Sequence, residues 1–172
     1  MTKRKATMQI NELKIDPDTL TALCSLPDEE AVVLFFPATD ERQHFEAFEE
    51  SLRRERLGKV HGVAYGMDAK FTTRHWHHID RHPSILVVIA EPPDENWRDA
   101  VQNQVIFART VMAVYHEIHA GTEPDAFVVV YCGRNTYDPP ASIGTAIQVE
   151  DWDTGDWTSV AKFLMKGEVL ES

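Results

Sequence analysis

The run His75-Trp76-His77-His78-Ile79-Asp80-Arg81-His82 holds four of the chain's eight histidines. Read as a strand over 71–79, the segment alternates, so His75 and His77 share one face while Trp76 and His78 share the other. An i, i+2 imidazole pair of this kind can present two nitrogens to one transition metal, with Asp80 or His82 at the strand end as third ligand. The polar residues around it also suit an exposed strand face or a pH-sensitive partner surface.

His116-Glu117-Ile118-His119 resembles the helical zinc-protease pattern H-E-x-x-H only in composition, because its second histidine comes one position too early. On a helix His119 falls in the apolar stripe and His116 at its edge, which suits a packed and a solvated histidine better than two ligands.

A second constellation depends on topology. Three apolar runs end in polar turns: Pro37-Ala38-Thr39-Asp40, Glu91-Pro92-Pro93-Asp94 and Cys132-Gly133-Arg134-Asn135. If the runs are parallel strands, these turns converge where α/β sheets bind ligands. The site would then hold Thr39, Asp40, Glu91, Asp94, Arg134 and Asn135, suited to a polar or cationic small molecule, or to Mg²⁺ on its carboxylates. The same residue types are ordinary turn formers and helix caps.

Neither G-x-x-x-x-G-K-[ST] nor G-x-G-x-x-G occurs, and no G-x-S-x-G elbow is present. Cys132 has no evident base beside it and reads as a small hydrophobe. In Asp151-Trp152-Asp153-Thr154-Gly155-Asp156-Trp157, Trp157 begins a helix, whereas Trp152 among acids suits an anchor for a basic partner.

The elements that must position these groups follow from patterning. Residues 1–12 read as a mobile polar tail and 13–172 as a single domain. Asp16-Pro17 starts a short helix. Residues 31–36, 85–89 and 127–131 are unbroken apolar runs, the mark of strands buried on both faces. Phe45, Phe48 and Leu52 give one helix its stripe, with Glu49–Arg53 and Glu50–Arg54 pairs on its wet side. Residues 60–65 and 71–79 read as antiparallel partners, 96–119 as the longest helix, 145–149 as an edge strand and the stretch after Trp157 as a last helix. The fold class expected is α/β or α+β: a mixed sheet of five to six strands packed by two main amphipathic helices and short terminal ones.

Composition bounds the function. With 172 residues, 43% hydrophobic and 26% charged, the chain can bury one substantial core. No stretch has the roughly 18–20 apolar residues of a membrane span, and no signal-peptide h-region follows the basic start. Two cysteines without a framework suit a cytoplasmic setting. A formal charge of −11 disfavours direct nucleic-acid binding. A homodimer through an edge strand or the wide apolar helix is compatible with the pattern.

Two functional readings follow. The favoured one is a non-catalytic binding domain of the inhibitor, immunity or regulatory type, meeting a protein partner or small ligand through its acidic surface, with Trp152 as a contact. The alternative is a metal-dependent hydrolase using a His75/His77 transition-metal centre with His82, or the strand-end carboxylates. No catalytic residue is assigned in either.

Overall fold

The computed structural model describes residues 8–56, 59–93, 95–135, 137–153 and 155–168. Its elements are β1 (Ile10–Lys14), α1 (Pro17–Cys24), β2 (Val32–Pro37), α2 (Arg42–Arg56), β3 (Val60–Tyr65), α3 (Thr73–Arg81), β4 (Ser84–Ala90), α4 (Trp97–Ile118), β5 (Ala126–Cys132), β6 (Thr145–Val149) and α5 (Thr158–Lys166). This is an α/β domain with a six-stranded mixed sheet in the order β1-β6-β5-β4-β2-β3. The β2–β3, β2–β4, β4–β5 and β5–β6 pairs are parallel, and β1 alone runs antiparallel, against β6.

The apolar runs explain the layers. Every residue of β2, β4, β5 and β6 is buried, as expected of strands covered on both faces. Alternation sends Leu34, Leu86, Val128 and Ile147 to one core with Leu23 of α1, Phe45, Phe48 and Leu52 of α2, and Val160 and Leu164 of α5. Val33, Phe35, Val87 and Val129 enter the other core with Ile79 of α3 and Val101, Phe107, Ala108 and Val111 of α4. Three helices therefore cover one face and two the other.

Local signals set the helix ends. The Asp16 side chain accepts from Asp18 N–H at 3.0 Å, and Pro17 occupies the first turn of α1. Gly167 stops α5 in the left-handed region at φ +65°, its N–H reaching Phe163 O at 3.2 Å.

Four expectations are corrected. Residues 73–81 are helix, not strand. The Thr72 hydroxyl caps the His75 N–H, and the His75 ring accepts from the Thr72 N–H, closing a capping box. With α3 in place, β3 pairs in parallel with β2 and has no antiparallel partner among the described residues. Residues 10–12, expected in a tail, belong to β1, and Met8 is buried; residues 1–7 lie outside the described residues. That strand covers β6, which is consequently interior rather than an edge. No helix among the described residues is long and apolar enough to cross a membrane.

Candidate functional site

From β2 the chain crosses by α2 to β3 on one side, whereas from β4 it crosses by α4 to β5 on the other. The loops leaving β2 and β4 therefore diverge, and parallel sheets open a crevice at such a reversal, beyond the carboxyl ends of the strands. Pairing continues to the loops themselves: Ala38 N–H reaches Tyr65 O at 2.8 Å, Glu91 N–H reaches Cys132 O at 2.8 Å, and Gly133 N–H reaches Val149 O at 3.1 Å.

Two adjoining clefts occupy this edge. The first, of about 240 Å³, is lined by Thr39, Asp40, Glu41, Met67, Ala90, Glu91, Pro92 and Pro93. The second, of about 260 Å³, shares Glu41, Glu91, Pro92 and Pro93 and adds Gly133, Arg134, Glu150, Trp152 and Asp153. Glu41 and Glu91 thus face both.

Glu91 is held from three directions. Its carboxylate accepts from the Tyr137 hydroxyl, from the Asn135 side-chain amide, and from the Asn135 backbone N–H at 3.3 Å. Charge-assisted bonds of this type are about twice as strong as neutral ones and fix the acceptor's orientation. Burial, and then the bond to the Glu91 carboxylate, hold the Tyr137 phenol far above its ordinary range, so it remains a donor. Tyr137 stacks on Tyr131 at 4.7 Å. Burial, with the Asp138 charge, pushes the Tyr131 hydroxyl up to about 12.

The supporting shell is built from two buried glutamines. Gln104 of α4 extends the sheet by one amide: Ala90 N–H donates to its Oε1 at 2.7 Å, and its Nε2 donates to Ala90 O at 2.8 Å. Tyr65 OH also reaches Oε1, at 3.2 Å. Gln148 of β6 holds the loop after β5, donating to Gly133 O at 2.9 Å and Asn135 O at 2.8 Å. Both fix the backbone on which Glu91 and Asn135 stand.

The strand-end residues named from sequence are largely brought together. Thr39, Asp40 and Glu91 line the first cleft, Arg134 lines the second, and Asn135 bonds Glu91. Thr39 also behaves as a turn residue, its hydroxyl accepting from Glu41 N–H at 3.2 Å. Arg134 pairs with Asp151 at 3.2 Å on the exposed rim. Asp94 lies outside the described residues. Glu41, Tyr137, Gln104, Gln148, Glu150 and Asp153 were not singled out from sequence. Tyr137 lies in the loop after β5, but nothing in the sequence indicates that its hydroxyl meets Glu91.

The histidine centre is corrected. On α3, residues two apart point to nearly opposite sides, so His75 and His77 do not converge. Both nitrogens of the buried His75 ring are engaged: Nδ1 accepts from Thr72 N–H at 3.0 Å, and Nε2 donates to Ala64 O at 3.0 Å. His77 is exposed beside Trp76. His82 packs with His61 and His78 instead. Among the described residues no group of three or more His, Cys, Asp or Glu side chains could hold a metal ion, the strand-end carboxylates included.

Other candidates resolve similarly. The His119 ring packs against Tyr115 in a tilted arrangement, centroids 4.2 Å apart, and its Nε2 donates to Ile79 O at 3.3 Å. Burial drives the Cys132 thiol far up, which leaves it a packed thiol rather than a nucleophile. Trp152 is buried, 7% exposed, and stacks on Phe45 at 5.3 Å, so it is no projecting partner anchor.

No family model and no curated protein matches the chain. Its fold is similar to that of a solved structure described as a unique GCN5-related glucosamine N-acetyltransferase region in a fungal multi-domain GH3 beta-N-acetylglucosaminidase. The TM-score is 0.65 at 14% identity, over 93% of this chain. At that identity the likeness shows the fold alone, and this chain spans only 16% of the length of that protein. The likeness corrects the expectation of a non-catalytic binding domain, because the fold is one that an enzyme chain uses.

Proposed function

We propose that this chain is an enzyme unit that binds a free amino sugar as acyl acceptor, in N-acyl transfer to a glucosamine-type amine. The observation that carries the reading is the carboxylate lining of the strand reversal. Asp40, Glu41 and Glu91 face one cleft, and Glu41, Glu91, Glu150 and Asp153 face the other. An amino sugar presents one ammonium and several hydroxyls, and such a rim attracts the cation while accepting from the hydroxyls. The N-acetylated sugar is neutral, so the same rim favours the free amine. Glucosamine is also the substrate in the description of the similarly folded protein.

Glu91, fixed by Tyr137 and Asn135, receives the ammonium. The proton that the amine must release on acylation passes to a carboxylate of the same lining. An acetyltransferase fold implies an acyl-CoA donor, and the described residues do not fit one. β4 and β5 stay paired to their last residues, Ala90 and Cys132, and leave no gap between them. The adjoining loops contain no glycine-rich phosphate cradle, and Arg134 is engaged by Asp151. These residues supply the acceptor half of the reaction. The free thiols Cys24 and Cys132 suit a reducing, cytoplasmic setting.

Calorimetric titration with glucosamine and with N-acetylglucosamine tests the reading. Glucosamine should bind, N-acetylglucosamine should bind more weakly, and Glu91→Gln should cost about tenfold in glucosamine affinity. Equal or tighter binding of the acetylated sugar, or no binding of either, refutes it.

A further inference from the structure

A second cavity, of about 480 Å³, lies beside the free edge of the sheet, between β3 and α3. It is lined by His61 near the start of β3, by Arg74, His77, His78 and Arg81 of α3, and by His82 just beyond that helix. Met67, which lines the first cleft, follows the opposite end of β3.

Helical spacing builds the lining. Arg74 and His78 stand one turn apart on one face of α3, His77 and Arg81 flank them, and His82 follows at the end of the helix. Alternation on β3 turns His61 toward them, while Gly62 N–H meets the Glu49 carboxylate of α2 at 3.0 Å. The rings of His61, His78 and His82 have centroids 5.3–6.3 Å apart.

Every lining side chain is basic, in a chain of net charge −11. Asp80 on the same helix and Glu49 on α2 are outside the lining, and Arg53 of α2 is occupied by Glu49 and Val60 O. Arg74 and Arg81 make no ion pair among the described residues. Two unpaired guanidinium groups beside three clustered imidazoles, in a cavity of this size, form a receptor for an anion with several oxygens.

We propose that this cavity binds a phosphate-bearing small molecule, held by Arg74 and Arg81 and by the rings of His61, His78 and His82. Burial and mutual repulsion with His61 and the arginines lower the proton affinity of His78 and His82. A bound polyanion reverses that repulsion, so binding takes up protons and tightens as pH falls. The site is independent of the amino-sugar reading and shares no lining residue with the two clefts.

Calorimetry of the whole chain with inorganic pyrophosphate, at constant ionic strength, provides the test. Binding should be about tenfold or more tighter near pH 5.5 than near pH 8, with a buffer-dependent heat that reports proton uptake. The double variant Arg74→Ala/Arg81→Ala should lose binding at both pH values. His82→Ala should remove most of the pH dependence while leaving residual binding. Circular dichroism checks that these largely exposed changes leave the fold intact. No pyrophosphate binding, pH-independent binding, or binding unchanged in the arginine variant overturns the proposal. Binding of Zn²⁺ in place of pyrophosphate overturns it as well.

Discussion

The phenolic hydroxyl of Tyr137 donates to the carboxylate of Glu91, 46 positions earlier, and so ties the loop after β5 to the loop after β4. Tyr137→Phe removes that donor and leaves the stacking on Tyr131 in place. The change should cost about 1–3 kcal/mol of stability, the range for a partly buried charge that loses a partner. It should also weaken glucosamine binding several-fold, because Glu91 gains rotational freedom. Urea denaturation and sugar titration on the same sample report both effects, and an unchanged transition midpoint would contradict the first.

Gly133 is where this pair crosses the backbone. A methyl group there would collide with the Tyr137 hydroxyl and the Glu91 carboxylate, and would meet the Glu91 Cβ at 2.7 Å. Gly133→Ala should therefore separate Glu91 from Tyr137, at a cost of about 1–3 kcal/mol from forced displacement. Glucosamine binding should fall at least as far as in Tyr137→Phe. A variant with wild-type stability and binding would show that the loops yield more readily than this geometry implies.

Gln104 is fully buried, and its amide pairs with both backbone groups of Ala90, the residue before Glu91. Gln104→Leu preserves volume but strands a buried N–H and a buried C=O. The expected loss is about 2–5 kcal/mol, from two unsatisfied groups. Thermal unfolding followed by circular dichroism would detect it readily, and a loss well below that range would mean the strand end finds other partners.

The sign of the pH dependence follows from His78 and His82, which in the folded chain have proton affinities below the ordinary histidine value. The unfolded chain takes up these protons near pH 6.5, before the folded chain does. Their contribution is complete above about pH 6.5 and is lost as pH falls toward the lowered folded values. Melting temperature should drop between about pH 7 and 5, and the drop should be smaller in His78→Gln/His82→Gln. Parallel pH profiles for the two proteins would rule out this origin.

The buried strands and the two long helices were legible in the sequence because each carries an apolar period that only one environment satisfies. Val32–Phe36, Ile85–Ile89 and Phe127–Tyr131 have no polar face, so both faces must be covered. The segment 71–79 was misread because threonine, phenylalanine and tryptophan favour strands, whereas the deciding signal was local. Thr72 stands three residues before His75, and His75 and Ile79 recur at i, i+4 as the buried residues of α3. At β1 only Ile10 and Leu13 face the cores, too short a period to distinguish from a tail. The convergence of Thr39, Asp40, Glu91, Arg134 and Asn135 could be stated conditionally, because it follows from parallel strands. The Glu91–Tyr137 bond and the two supporting glutamines could not, since side-chain partners across separate loops leave no periodicity in one sequence.

The antiparallel pairing of β1 with β6 has a consequence for biosynthesis. Asn11 and Glu150, which bond side chain to side chain at 3.1 Å, stand 139 positions apart. At roughly 5–20 residues per second, β1 is made about 7 to 28 seconds before its partner exists. The strands from β2 to β5 can assemble during that interval, so β1, made before them, takes its place after them.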